Sequence, residues 1–266
     1  MKIGFIGLGN MATAMIEGIT KDGSIKGEML YGADVYPDAV MRAKERYHIN
    51  GYTDSAQVAA EADILFLVIK PVQFAKAIDQ IKDSVRPGTI VVSIGAGITL
   101  SFLKERFGRT DIKLIRCMPN TPAFVLEGMT GVSPDENVTM AEKEMVLDIF
   151  GRFGKAQEVP ERLMDSVVAV SGSAPAYIFL LIEAMADGAV AAGMPRQQAY
   201  DFAAQTVYGS AKMVLESGKH PAQLKDMVCS PAGTTIAAVK VLEEKGFRAA
   251  VLSAMEACVK RSIELG

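Results

Sequence analysis

The residues best suited to chemistry in this 266-residue chain gather at a few short turns. Gly7-Leu8-Gly9-Asn10-Met11-Ala12 fits the spacing G-x-G-x-x-G/A. In that spacing the first glycine permits a tight turn, and the second leaves room for a pyrophosphate against the backbone. A small third residue lets a helix sit close on a strand. A helix starting near Asn10 would aim free N–H groups and its positive dipole end at the phosphates. Taken alone, the spacing also fits a plain Gly-rich strand-to-helix turn. Here Ile3, Phe5 and Ile6 read as a buried strand before it, and residues 12–19 read as a helix after it. A second apolar run, residues 29–33, ends in Asp34, at roughly the 20-residue distance where a ribose-binding acid belongs. The chemistry this favours is dinucleotide binding.

Other polar or Gly/Pro-rich turns end further apolar runs: Lys70-Pro71, Gly95-Ala96-Gly97 and Met118-Pro119-Asn120-Thr121-Pro122. In a parallel sheet such turns meet on the carboxyl edge, where ligands bind. The candidate cofactor-binding residues are therefore Ile6, Gly7, Leu8, Gly9, Asn10, Met11, Ala12, Asp34, Ser55, Ile69, Lys70, Pro71, Ala96, Gly97 and Asn120.

The elements that must position these residues alternate. Strands are expected at 29–33, 63–69, 89–94 and 113–117, the second being the most apolar stretch of the chain. Between them, helices are expected at 37–47 with Pro37 in the first turn, and at 56–61 capped by Asp54 or Ser55. Further helices are expected at 72–83, and up to about Phe107 from a cap at Thr99 or Ser101. A last unit places a strand at 129–133, a helix at 140–153 and a strand at 156–159. The fold class expected is α/β, a Rossmann-type doubly wound parallel sheet over residues 1–160.

Past Pro160 strand-like runs cease. Ala-, Met- and Leu-rich stretches at helical spacing cover 163–170, 176–192, 196–216, 234–244 and 247–264, with breakers between them. Residues 161–266 read as a second, all-α domain. Its segment 178–192 is apolar nearly all round, more than so small a domain can surround, which points to a partner chain as well as to an internal core helix.

Composition narrows the classes. The chain is half hydrophobic, with a net charge of −3 and no basic surplus, which argues against nucleic acid and disorder. No apolar run is read as reaching membrane-span length, and the chain enters a core strand at once, leaving no room for a targeting peptide. Three widely spaced cysteines, Cys117, Cys229 and Cys258, read as free thiols in a reducing compartment. Two histidines, His48 and His220, argue against a histidine triad or metal cluster, so no metal is expected. The expected setting is cytoplasmic.

Three stretches then carry a resemblance. Ser171-Gly172-Ser173-Ala174-Pro175-Ala176-Tyr177, Met118–Pro122 and the run from Asp226 through Cys229-Ser230-Pro231-Ala232-Gly233-Thr234-Thr235 resemble signatures of pyrroline-5-carboxylate reductase, as does Leu242 to Arg248. The resemblance covers the whole chain, and the helical-domain motif is more specific than the Gly-rich loop. It implies NAD(P)H-dependent reduction of 1-pyrroline-5-carboxylate to L-proline, the last step of proline synthesis. It also implies dimers with interlocked helical domains, often assembled into decamers. Many members carry small residues with nearby basic groups at the end of the second strand, favouring NADPH. This chain has Asp34, which can bond ribose hydroxyls and would repel a 2′-phosphate, so the cofactor is NADPH or NADH with a tilt toward NADH.

The chemistry agrees with the resemblance. A cyclic imine with a carboxylate needs orientation more than a strong acid, because its cationic nitrogen already draws electrons. The carboxylate needs an anchor, and Ser230, Gly233, Thr234 and Thr235 form a small-residue helix start with free amides. By resemblance, Thr235 is the hydroxyl that bonds the ring nitrogen. Thr234 and Thr235 also fit ordinary helix capping. Lys70 and Asn120 are expected toward the nicotinamide, though Lys70 also reads as a solvated charge at a strand end. A β-hydroxyacid dehydrogenase shares the two-domain plan but needs a lysine four residues after a glycine; here Gly172 is followed by Ala176. A non-catalytic NAD(H) sensor would need no anion seat.

Overall fold

The computed structural model describes residues 1–265, in two compact units. The first comprises Met1–Ser173 with the end of the chain from Cys258, and the second is Ala174–Ala257. The expected division at 160/161 and this division differ because residues 161–173, a 3₁₀ turn, a short helix and a π turn, pack on the sheet: Met164 and Ala169 are buried there.

The first unit is one eight-stranded sheet. In chain order it contains β1 (Ile3–Ile6), α1 (Asn10–Thr20), β2 (Leu30–Ala33), α2 (Pro37–Tyr47), β3 (Asn50–Tyr52), α3 (Ser55–Glu61) and β4 (Ile64–Leu67). Then follow α4 (Phe74–Ile81), β5 (Ile90–Ser93), α5 (Leu100–Phe107), β6 (Lys113–Met118), β7 (Gly128–Pro134), α6 (Met140–Gly151), β8 (Gly154–Glu158) and α7 (Met164–Val167). The strand order is β3-β2-β1-β4-β5-β6-β7-β8. All neighbours pair in parallel except β6 and β7, so the expected doubly wound parallel sheet carries one antiparallel joint. The reason is the short connection: a 3₁₀ turn, Thr121–Val125, reverses the chain between β6 and β7 without a crossover helix.

Side chains alternate across the sheet and both faces are buried. Ile3, Phe5, Ile64 and Phe66 join α1 and α6 on one face, while Ile6, Leu65 and Leu67 join α3, α4 and α5 on the other. Phe5 stacks on Phe66 at 5.3 Å between centroids, and Phe66 meets Phe150 edge-on at 5.8 Å. Each such pair adds about 0.5–1.5 kcal/mol beyond its buried area. Helix starts follow their caps: Asp54 accepts from the Ala56 N–H, Thr99 from Phe102, and Thr139 with Glu142 makes a full capping box.

The second unit is helical: α8 (Ala174–Ala191), α9 (Arg196–Ser217), α10 (Pro221–Val228), α11 (Thr234–Glu244) and α12 (Phe247–Leu265), which runs into the first unit's part of the chain. Helix α10 is not among the expected helices; it starts within the breaker expected at Gly218–Pro221, where His220 and Gln223 make a capping box across Pro221. In α8, Phe179 is 61% and Leu180 67% exposed. One helical stretch, Glu161–Ala191, is long and apolar enough to cross a membrane by length and composition, contrary to the expectation of none. Gly172–Pro175 does not break the run as expected, because a π-helical turn, Val168–Gly172, carries it into α8.

Candidate active site

A cleft of about 740 Å³ opens at the carboxyl edge of the sheet, beside the turns after β1, β2 and β4. Gly7 leaves β1 with φ +96°, and a side chain there would strike the Val68 carbonyl. Gly9 is the N-cap of α1 and a Cβ on it would meet nothing, so the backbone stays open to a ligand. Helix α1 has no side-chain cap and no acid in its first turn. Its first amides are thereby left for an anion, with the helix dipole behind them. These features fit a dinucleotide pyrophosphate.

Asp34 lies where β2 ends, and its carboxylate is fixed at both oxygens. Oδ2 accepts from the Leu8 N–H at 2.8 Å and Oδ1 from the Tyr36 N–H at 3.0 Å. Ser55, at the start of α3, lines the same cleft, as do Ile6, Gly7, Gly9, Ile69 and Lys70. Lys70 is exposed at the end of β4. The structure adds wall residues that the motif did not name: Val35, Tyr36, Arg42, Gln73 and Lys76. Gln73 and Lys76 follow from the turn at Pro71 and the start of α4; no spacing rule marked them.

Several candidates play other parts. Ala12 is wholly buried and Met11 packs on the core, so neither side chain offers a cofactor surface. Leu8 is buried too, and its amide is engaged by Asp34 rather than left for phosphate. Asn10 is exposed at the start of α1; Pro71 opens a 3₁₀ turn; Ala96 and the positive-φ Gly97 follow β5 at the same sheet edge. None of these four lines the cleft. Asn120 is engaged at both ends of its amide. Its Oδ1 accepts from the Met129 N–H at 2.8 Å, and its Nδ2 donates to the carbonyl and hydroxyl of Ser171, both at 3.2 Å. Its amide ties β6, β7 and the π turn together.

The second candidate segment lies in the helical unit. Gly233 is the N-cap of α11, with no side-chain cap and no acid in the first turn. Its own N–H donates to the Ser230 carbonyl at 3.1 Å, so the free amides begin at Thr234 rather than Gly233. Ala232 holds φ +56°, a strained value for a residue with a side chain, which sets the turn into the helix. Thr234 and Thr235 are the first two helical residues, so neither is the cap. Ser230 and Thr234 are exposed and Thr235 half-buried. Elsewhere, His220 caps α10 and His48 ends α2 in a left-handed conformation, both structural duties. Burial pushes the Cys117 thiol well up, keeping it protonated and unreactive. Among the described residues no three His, Cys, Asp or Glu side chains are grouped to hold a metal.

A Gly-turn cleft with a fixed acid at the end of β2 on a Rossmann-type sheet, followed by a helical unit bearing a capless helix start, defines a two-domain nicotinamide-dependent oxidoreductase. Residues 2–97 match a family model described as NADP oxidoreductase coenzyme F420-dependent, and residues 161–265 match one described as pyrroline-5-carboxylate reductase dimerisation. The chain is 51% identical to the pyrroline-5-carboxylate reductase of Escherichia coli (strain K12), over 99% of this chain and 98% of that one. It is 44% identical to the enzyme of that name from Methanosarcina acetivorans, over 100% and 98%. A solved structure of Plasmodium falciparum pyrroline carboxylate reductase with NADP bound superposes with a TM-score of 0.90 at 33% identity, covering 100% of this chain and 98% of that one. The chain belongs to the pyrroline-5-carboxylate reductase family. It is a reductase of the C=N bond, converting 1-pyrroline-5-carboxylate to L-proline at the end of proline synthesis.

Proposed function

We propose that the reaction is divided between two seats: the cleft after β1, β2 and β4 holds NAD(P)H, and the start of α11 holds the substrate. The observation that carries this is the capless, acid-free N-terminus of α11, whose free amides start at Thr234. Those of Thr234, Thr235 and Ile236 take the substrate carboxylate, helped by the dipole. The Thr235 hydroxyl, one turn-step inside the helix and not used as a cap, orients the ring nitrogen. The nicotinamide, when bound, supplies the hydride. Lys70, exposed at the end of β4 and lining the cleft, places positive charge beside the dinucleotide.

Asp34 tilts the cofactor toward NADH: its fixed carboxylate accepts from ribose hydroxyls and opposes a 2′-phosphate. The exposed apolar side chains of α8 are covered by a second copy, giving a homodimer, with dimers assembling further as a decamer. The enzyme acts in the cytoplasm, on a small molecule, without nucleic acid or membrane. A steady-state assay with 1-pyrroline-5-carboxylate against NADH and NADPH tests the reading. Turnover with NADH at least as efficient as with NADPH is expected; absence of turnover with either overturns it.

A further inference from the structure

After β5 the chain turns through residues 94–99 into α5, at the same carboxyl edge of the sheet as the Gly turn. Gly97 is buried there with φ +75°. Among the described residues, neither its N–H nor that of Ala96 donates to a protein acceptor. Buried donors are ordinarily satisfied, so this turn presents amides to a ligand. Asp34, after β2, marks the adenosine ribose. The strand order β2-β1-β4-β5 then leads a bound dinucleotide across the sheet toward the turn, about 14 Å away at three strand spacings. The nicotinamide half comes to lie beside residues 94–99, provided that NAD(P)H occupies the cleft as proposed above.

A buried charge stands beneath this turn. Arg116, on β6 opposite Ser93 at the end of β5, is 5% exposed. A guanidinium that deep is costly unless it is paired. Its Nη1 donates to Glu161 Oε1 at 3.3 Å. Asp165 is further off, 3.9 Å from Nη2, and accepts from the Ser262 hydroxyl at 2.7 Å. Glu161 is therefore the nearer counter-charge.

The same Glu161 oxygen accepts from the Leu100 N–H at 2.7 Å. Leu100 is the first residue of α5, where the turn ends. The cap of that helix, Thr99, accepts from the Phe102 N–H and leaves the Leu100 amide over. Glu161, 61 residues on in the chain, takes it. A buried ion pair stabilises little more than apolar side chains of the same volume would, so stability alone does not account for this one. We propose that Glu161 is a positioning residue for hydride transfer: held by Arg116, its carboxylate pins the Leu100 N–H and so sets the β5–α5 turn against the nicotinamide.

The test is single-turnover oxidation of bound NADH by saturating 1-pyrroline-5-carboxylate, on the full, assembled protein, beside the dissociation constant of NADH. Glu161→Leu should slow hydride transfer by about ten- to a hundredfold, the cost of misplacing reacting groups by about an ångström. NADH, held at Asp34 and the Gly turn, should bind nearly as in the parent. Glu161→Gln keeps an oxygen for the Leu100 N–H and should recover most of the rate. Where Glu161→Leu does not fold, Leu100→Pro removes the donor and keeps the ion pair, and the same slowing is expected. Thr99, extended at φ −82° and ψ 158°, suits a following proline, which is tolerated at a first helical position. Thr139→Ala takes the cap from α6, which starts at the opposite edge of the sheet, and should leave the rate unchanged. An unchanged rate in folded Glu161→Leu or Leu100→Pro protein overturns the proposal, as does a loss confined to NADH affinity. No recovery in Glu161→Gln, or equal slowing in Thr139→Ala, overturns it too. Gly7→Val fills the Gly turn and should abolish NADH binding; intact binding there overturns the cleft reading, and the proposal with it.

Discussion

The backbone N–H of Leu8 donates to Oδ2 of Asp34 at 2.8 Å, so the Gly-rich turn is fastened to the acid at the end of β2. The Tyr36 N–H holds the other oxygen at 3.0 Å. An acid fixed at both oxygens cannot swing away from an incoming 2′-phosphate. Its position is part of the cleft wall rather than a choice of rotamer.

Asp34→Ser should therefore change both selectivity and stability. Relief of the repulsion should raise kcat/KM for NADPH relative to NADH by about tenfold, on the order of 1 kcal/mol or more. Losing hydrogen bonds to a charged acceptor should cost about 1–3 kcal/mol, a fall in Tm of several degrees. Kinetics with both cofactors and a thermal melt check the two halves. A native preference of about a hundredfold for NADPH, near 2.7 kcal/mol, would instead assign the phosphate to Arg42, which lines the cleft.

Asn120 joins three backbone segments through one amide, two of its bonds reaching Ser171 and one Met129. Asn120→Ala leaves the Met129 N–H and Ser171 carbonyl without their partner near the sheet edge. A loss of about 2–4 kcal/mol follows, from up to three bonds at roughly 1 kcal/mol each plus desolvated groups. Chemical denaturation should show a lower midpoint with an unchanged slope. If the variant is as stable as the parent but loses cofactor affinity, the amide faces the ligand after all.

How much of this was legible depended on whether the cause was local. The β1, β2, β4 and β5 runs are apolar on both faces, and Thr99, Asp54 and Pro37 mark helix starts, so the elements could be read within a few residues. Strand β3 escaped because Asn50-Gly51-Tyr52 carries no apolar run; its pairing with β2 makes it a strand. The antiparallel direction of β7 escaped because a strand's apolarity does not encode its direction. At the site, the Gly turn and Asp34 follow a spacing rule. The role of Asn120 follows from contacts with Ser171, 51 residues distant, which no spacing records.

Asp63 should make the fold acid-sensitive. Its carboxyl is held below the usual range by the Lys2 N–H at 2.8 Å and then by Arg86 at 2.7 Å, joining the chain start to β4. A depressed acid stabilises above its unfolded pKa, near 3.8, and loses that contribution as pH falls through its lower folded value. Asp63→Asn should lower Tm at pH 7 by a degree or two, since half-exposed pairs are worth less than about 1 kcal/mol. The gap to the parent should close below pH 4. A gap that widens in acid would mean the carboxyl is not the stabilising form.

The second unit tests assembly. Phe179 and Leu180 lie exposed on α8, in the stretch matched by the dimerisation model. Covering such side chains is worth about 1.5–3 kcal/mol each. Phe179→Asp should convert the dimer or larger assembly toward single chains, read by light scattering at micromolar concentration. A parent protein that is fully active as a single chain would sink the assignment.

Thr235 carries the last prediction. Gly233, not a threonine, caps α11, and the Thr235 hydroxyl sits inside the first turn as the second helical residue. Removing it therefore takes no cap from the helix, and Thr235→Ala should change stability by less than about 0.5 kcal/mol. The proposed carboxylate seat is made of backbone amides, which the substitution leaves in place, so a carboxylate inhibitor should bind nearly as before. What disappears is a hydrogen bond to a charged or partly charged ring nitrogen, worth about 1.5–3 kcal/mol. That predicts a loss of roughly ten- to a hundredfold in kcat/KM for 1-pyrroline-5-carboxylate. The dissociation constant of NADH should not move, because the Gly-turn cleft belongs to the other unit. Thr235→Ser, which keeps the hydroxyl, should recover most of the loss. If Thr235→Ala instead lowers Tm with kcat/KM intact, the hydroxyl serves the helix and the amides alone serve the substrate.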